Sequence, residues 1–153
     1  MKAASRHNRG FTLVEIMIVV GIIGLLAVIA IPAFVKARIQ AQNTAFANDL
    51  RIAVQGIEMY TIDNGTYPPD ANHGVKPPEA AEYLTKVDWE ETPIGGYWDW
   101  ERDVFGIVAG VSVWRPERDD GQMQAIDALV DNGDISSGSF QKKSGRYTYI
   151  IEE

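Results

Sequence analysis

The sequence predicts an α+β protein: one long N-terminal helix, apolar enough in its first half to span a membrane, packed on a small antiparallel sheet of three or four strands with one or two short helices. Three observations carry this. Phe11 to Val35 is a nearly unbroken apolar run, the residues after it repeat apolar side chains at spacings of three and four as far as Tyr60, and the last third holds short β-branched and aromatic runs between glycine turns. The change of period from helical to strand-like along one short chain predicts a helix laid on a sheet.

The first element is set by hydrophobicity. Between Phe11 and Val35 the only strongly polar residues are Thr12 and Glu15, and Ile16 to Ile31 carries no charge. At about 1.5 Å per residue, such a helix covers the roughly 30 Å hydrocarbon layer of a bilayer. A secretory signal has a shorter apolar region, about 7 to 15 residues, ending at a small-residue cleavage site. Lys2, Arg6 and Arg9 precede the run with no acid among them, which holds the extreme N-terminus in the cytoplasm and delivers the rest outside. Lys36 and Arg38 follow the run closely, so the charge asymmetry is modest.

The helical pattern continues without a breaker through Phe46, Leu50, Ala53, Ile57 and Tyr60, one apolar stripe, and Asn64-Gly65 supplies the stop. A single helix from Phe11 to about Ile62 is expected, roughly 78 Å long at 1.5 Å per residue. "DNGTYPP" is a turn, since Gly65 accepts positive φ and Pro68 and Pro69 interrupt helix and inner strand alike. "PPEAAEYLT" reads as a short helix with Tyr83 and Leu84 facing inward. "GGYWDWERDVFGIVAGVSVW" reads as a hairpin, with Tyr97–Trp100 as one arm, Glu101–Asp103 near the bend and Phe105–Trp114 as the longer arm. Gly106 and Gly110 mark a bulge or a close backbone approach. "GQMQAIDALVDNG" is a second short helix burying Met123, Ile126 and Leu129, and "GRYTYIIEE" closes the chain as a strand.

Composition narrows the function classes. The chain has 14 Lys and Arg against 21 Asp and Glu, and three of the cations precede Phe11, so the part beyond is more acidic still. Such a surface is wrong for general nucleic-acid binding, which uses clustered cations. There is no cysteine, so no disulfide supports the fold. No catalytic constellation is legible: His73 lies in a proline-rich loop, and glycine-rich phosphate loops, G-x-S-x-G and H-E-x-x-H are all missing. Glu90 with Glu91, and Asp119 with Asp120, read as solvated acids, the latter pair also as a helix cap. Of Trp89, Trp98, Trp100 and Trp114, most are expected in sheet packing and one on the surface.

One segment is far more specific than its hydrophobicity. "RGFTLVEIMIVVGIIGLLAVIAIPAF" resembles the class III signal of type IV pilins and type II secretion pseudopilins: a basic leader ending in Gly10, then Phe11, then Glu15 as fifth residue of the mature chain, with Pro32 later in the helix. The resemblance implies a type IV pilin-like fold. It also implies cleavage by prepilin peptidase between Gly10 and Phe11, and N-methylation of Phe11. The domains would be a leader at 1–10, a transmembrane and filament-core helix at 11–35, and a periplasmic helix spine with an α+β head at 36–153. An ionised carboxylate in hydrocarbon costs a few kcal/mol or more near the bilayer centre unless it is paired or near an interface. In the family the Glu15 carboxylate meets the Phe11 amine of a neighbouring subunit; taken alone, Glu15 is also satisfied by reaching the cytoplasmic interface. Gly21, Gly24 and Pro32 suit close helix packing, and Gly24 and Pro32 would ease loosening of the helix during assembly.

The resemblance implies a structural subunit of a pilus-like filament, a type II secretion pseudopilin, anchored in a bacterial inner membrane with its head in the periplasm. Its partners would be copies of itself, other pilins or pseudopilins, prepilin peptidase, an inner-membrane assembly platform and the bilayer. The alternatives are a type IV pilus subunit and a membrane-anchored binding module with an aromatic head. "DNGTYPP" matches the turn after the long helix of major pseudopilins, but the acidic, glycine-rich calcium loop of those proteins is not reproduced. Asp127, Asp131, Asn132 and Asp134 are the nearest oxygen donors, and their spacing reads more simply as a solvated acidic helix end, so no cofactor is expected unless calcium binds there.

Overall fold

The computed structural model describes residues 10–153. The leader expected at 1–10, including Lys2, Arg6 and Arg9, lies outside the described residues except for Gly10. The described residues fall into two compact units, one ending at Ile39 and one spanning Gln40–Glu153. Helix α1 covers Leu13–Asn64 and continues through Pro32. It starts two residues later than its hydrophobicity suggests, because Thr12 serves as its cap.

In the first unit the apolar side chains of α1 are exposed all round, and this stretch is long and apolar enough to cross a membrane. A helix apolar on every side has no polar face to offer water, so it needs lipid or protein around it.

In the second unit α1 presents one stripe to the core. Phe46, Leu50, Ala53, Ile57 and Tyr60 are all buried, as their spacing predicts, joined by Asn43, Ala47 and Gly56. Opposite them stands an antiparallel sheet of four strands, β1 (Tyr97–Val104), β2 (Ile107–Trp114), β3 (Phe140–Lys143) and β4 (Arg146–Glu152), in the order β1-β2-β4-β3. Strand alternation sends Trp98 and Trp100 of β1, Val111 and Val113 of β2, and Phe140 of β3 into the core. Phe46 stacks on Trp98 with ring centroids 4.8 Å apart and meets Phe140 edge-on at 6.4 Å. These aromatic pairs fix the register of helix on sheet as well as burying area.

The hairpin differs from its sequence reading. Its arms are equal, and Glu101–Asp103 lie in β1. The bend is Phe105-Gly106, two residues both at positive φ, the geometry that matches strand twist in two-residue hairpins. The same device, Ser144-Gly145, joins β3 to β4. Gly110, not Gly106, sits where the β2–β4 register shifts. A Cβ there would come 2.8 Å from side-chain atoms of Ile107 and Thr148.

"PPEAAEYLT" forms a 3-10 turn at Pro78–Ala80 followed by further turns, with Leu84 buried and Tyr83 half-buried. Helix α2 (Asp120–Val130) is capped by Asp119, whose Oδ1 accepts from the Gln122 N–H at 2.9 Å. It buries Met123, Ile126 and Asp127, while Leu129, expected inward, is 44 % exposed. The inward face is rotated so that Val130 packs against the core instead.

Gly56 marks a close approach of another segment to α1: a Cβ would lie 2.8 Å from both the Tyr83 carbonyl oxygen and Leu84 Cδ2. Elsewhere in a helix, Gly→Ala gains about 1 kcal/mol. Here Gly56→Ala should instead lower stability by roughly 1–3 kcal/mol, the usual cost of overpacking, measurable by chemical denaturation of the detergent-solubilised chain.

Candidate functional site

The residues with a sequence-level case for function lie at the start of α1. Gly10 and Phe11 precede the helix and are exposed, Phe11 at 83 %, so the peptide bond between them is accessible. Thr12 and Glu15 then close a reciprocal cap. Glu15 Oε2 accepts from both the Thr12 N–H and the Thr12 hydroxyl at 2.8 Å, and the Glu15 N–H donates to Thr12 Oγ1 at 3.2 Å. This is a capping box, with Thr at the cap and Glu three residues on, and it satisfies two N–H groups that an α-helix otherwise leaves without partners.

Glu15 thus has a partner within its own chain. Its carboxylate also sits in the first turn, where the positive end of the helix dipole favours an anion. Thr12 is the residue that reading the sequence missed, although T-x-x-E ahead of an apolar run is the signature of this cap. Gly21, Gly24 and Pro32 lie further along the same helix, with open space around the position a Cβ would take on either glycine.

The acidic end of α2 is arranged differently from a chelating loop. Asp131 Oδ2 accepts from the Ser139 and Phe140 N–H groups. Asp134 accepts from the Ser136 N–H and from the Ser136 and Ser137 hydroxyls. Asn132 Oδ1 accepts from the Asp134 N–H at 2.7 Å. Among the described residues no three His, Cys, Asp or Glu are grouped closely enough to hold a metal ion. Asp127 is fully buried, and neither carboxylate oxygen makes a hydrogen bond of normal geometry. Burial pushes its carboxyl above the usual range, with Asp131 adding to the effect and the Gly133 and Asp134 N–H groups partly opposing it.

The other sequence candidates are placed in packing, in ion pairs or on the surface. Trp89, Trp98 and Trp100 are buried, and Trp114 is half-buried with His73 stacked on its ring at 3.8 Å and the Arg115 guanidinium 4.3 Å from its centroid. Asp120 is held by Lys142 at 2.7 Å and by the Tyr147 hydroxyl. Glu90 and Glu91 are exposed.

The family model described as the prokaryotic N-terminal methylation motif matches residues 5–31, which include the capping box and the whole start of α1. By this segment the chain is similar to type IV pilins and to type II secretion proteins. It is 45 % identical over 62 residues to the type IV wide pilus major component of Thermus thermophilus, an overlap of 40 % of this chain and 47 % of that protein. It is 40 % identical over 63 residues to the type II secretion system core protein G of Pseudomonas aeruginosa, covering 41 % of this chain and 44 % of the relative. With the core protein G of Escherichia coli the identity is 35 % over 88 residues, covering 52 % and 60 %. The chain thus spans about half the length of the curated relatives it matches. No solved structure matches it.

Because a buried, unpartnered carboxylate costs stability, Asp127→Asn should stabilise the second unit by about 1–3 kcal/mol near pH 7. The gain should shrink on acidification, since the folded state keeps the Asp127 proton to higher pH than the unfolded chain does. Thermal unfolding of both forms at pH 5 and pH 7.5 checks this.

Proposed function

We propose that the chain is a structural subunit of a pilus-like filament, a type II secretion pseudopilin made as a membrane-anchored precursor. The observation that carries the reading is a single carboxylate, Glu15, in the first turn of an otherwise apolar helix that begins just after Gly10-Phe11, within a matched methylation motif. Cleavage between Gly10 and Phe11 by prepilin peptidase would create an α-amine four residues before Glu15, and methylation keeps its positive charge. In the unassembled subunit the carboxylate is satisfied by Thr12. During assembly on an inner-membrane platform it would exchange that cap for the Phe11 amine of a neighbouring subunit, gaining a charge-assisted bond in a medium of low dielectric. Gly24 and Pro32, which weaken the helix locally, would let it adapt to close packing. The N-terminus would face the cytoplasm, and the second unit the periplasm.

A type IV pilus subunit is the second reading, favoured by the identity with the Thermus thermophilus pilus component. It uses the same processing and the same charge pair.

Glu15→Ala should leave insertion and processing intact while reducing sedimentable filaments at least tenfold; filaments at normal yield would remove the charge-pair mechanism. Gly10→Leu should leave full-length precursor in the membrane, seen as a mass larger by the leader, and a processed chain would move the cleavage site elsewhere. Thr12→Val removes the hydroxyl from the cap but not the carboxylate, so it should still be processed and should change assembly less than Glu15→Ala does, as judged by the same filament yield.

A further inference from the structure

Two strands of the sheet meet a polar cluster on the face away from the core. Alternation along β1 places Asp99 and Glu101 together on that face, 4 % and 3 % exposed. A single guanidinium serves both: Arg146 Nη1 on β4 lies 2.7 Å from Asp99 Oδ2 and also bonds Glu101 Oε1. Arg146 Nε is buried without a partner, and the guanidinium carbon lies 4.6 Å from the Phe105 ring. The roof is the segment 70–74. Asp70 and His73 line the same small cavity, Asp70 Oδ1 accepts from the Arg102 N–H at 2.9 Å, and the Gly74 N–H donates to the Trp98 carbonyl at 2.8 Å. Below the roof, Ser112 and Thr148 bond each other at 2.7 Å and bring no charge.

The charge count does not balance. The groups facing this space are Asp99 and Glu101 from β1, Arg146 from β4, and Asp70 and His73 from the roof; Arg115 is occupied over Trp114 at the end of β2. Three carboxylates therefore face one fixed cation, two of them buried. We propose that Asp99, crowded by Glu101 and Asp70 around the single Arg146 guanidinium, keeps a proton at neutral pH, and that its loss releases the 70–74 segment from the edge of β1, making that segment a proton-sensitive latch.

Burial, followed by the neighbouring Glu101, raises the Asp99 carboxyl to about 7 against the pull of Arg146, and Asp70 adds to the rise. When the proton leaves, the new charge faces Asp70, which alone among the three acids is carried on an exposed segment held by a few hydrogen bonds. That segment is the part able to move, and its hydrogen bonds to Arg102 and Trp98 are those that break. The unfolded chain loses this proton at ordinary carboxylate pH and the folded one near 7. The cluster therefore stabilises the fold at low pH, and its contribution falls as pH rises from about 4 to about 7.

Hydrogen–deuterium exchange of the full chain in detergent micelles, read on peptides covering 69–76 between pH 6 and 8.5, tests the latch. After correction for intrinsic exchange, protection there should fall at least about threefold more in the wild type than in Asp99→Asn or Glu101→Gln, while α2 shows no such difference. Equal pH dependence in wild type and both variants, or a wild-type segment indifferent to pH, would overturn it. Carboxyl carbon shifts of the wild-type chain give a check free of any variant: the Asp99 carboxyl should titrate near neutrality, and its ionisation below pH 5 would sink the proposal.

Discussion

Everything in this chain depends on one helix having to satisfy two different surroundings. The first part of α1 is apolar on all sides, and the second carries a single stripe that is filled by Phe46, Leu50, Ala53, Ile57 and Tyr60. In the second part, stacking of Phe46 on Trp98 and its edge contact with Phe140 tie the helix to both β1 and β3, the two outer strands of the sheet. In the first part no such contact exists within the described residues, and the apolar surface calls for a cover of lipid or protein. A carboxylate at the start of that surface is tolerable with a partner or near an interface, and Thr12 supplies a partner within the chain.

A sheet whose outer strands are exposed invites unwanted pairing, and in a protein that is proposed to polymerise through its helix this would compete with the intended contact. Each edge is partly covered. The segment 70–74 bonds the free side of β1 at Trp98 and Arg102, and the Ile135 carbonyl accepts from the Lys142 N–H on the free side of β3. The cover on β1 is also the segment that closes the polar cluster around Arg146, so edge protection and the proton-sensitive roof are the same piece of chain.

Much of this was legible in the sequence, for identifiable reasons. The apolar run and the stripe obey one period each over many residues, so chance matches are improbable and both helical parts were readable. Asp119 as a cap and Gly65 as a stop act through their nearest neighbours and were readable too. The errors arose where tertiary context decides. The bend at Phe105-Gly106 was displaced because bulky Phe105 at positive φ is not a usual turn residue. Strand β3 was not singled out, since "FQKK" is short and polar and only the Ser144-Gly145 turn announces it. Leu129 turned outward because buried Asp127 took a place that no hydrophobicity scale would assign to it. At the candidate site Gly10, Phe11 and Glu15 were readable as a linear motif, whereas the role of Thr12 became plain only once hydrogen bonds placed it opposite Glu15.

The central claim is that the mature chain begins with a charged, methylated amine four residues before Glu15. Intact-mass measurement with N-terminal sequencing, on protein taken from its own membranes, addresses it directly. A chain that starts at N-methylated Phe11 is the expected result. A chain that still carries Met1 to Gly10 would contradict it, leaving Glu15 as a helix cap and the protein as a single-pass anchored domain.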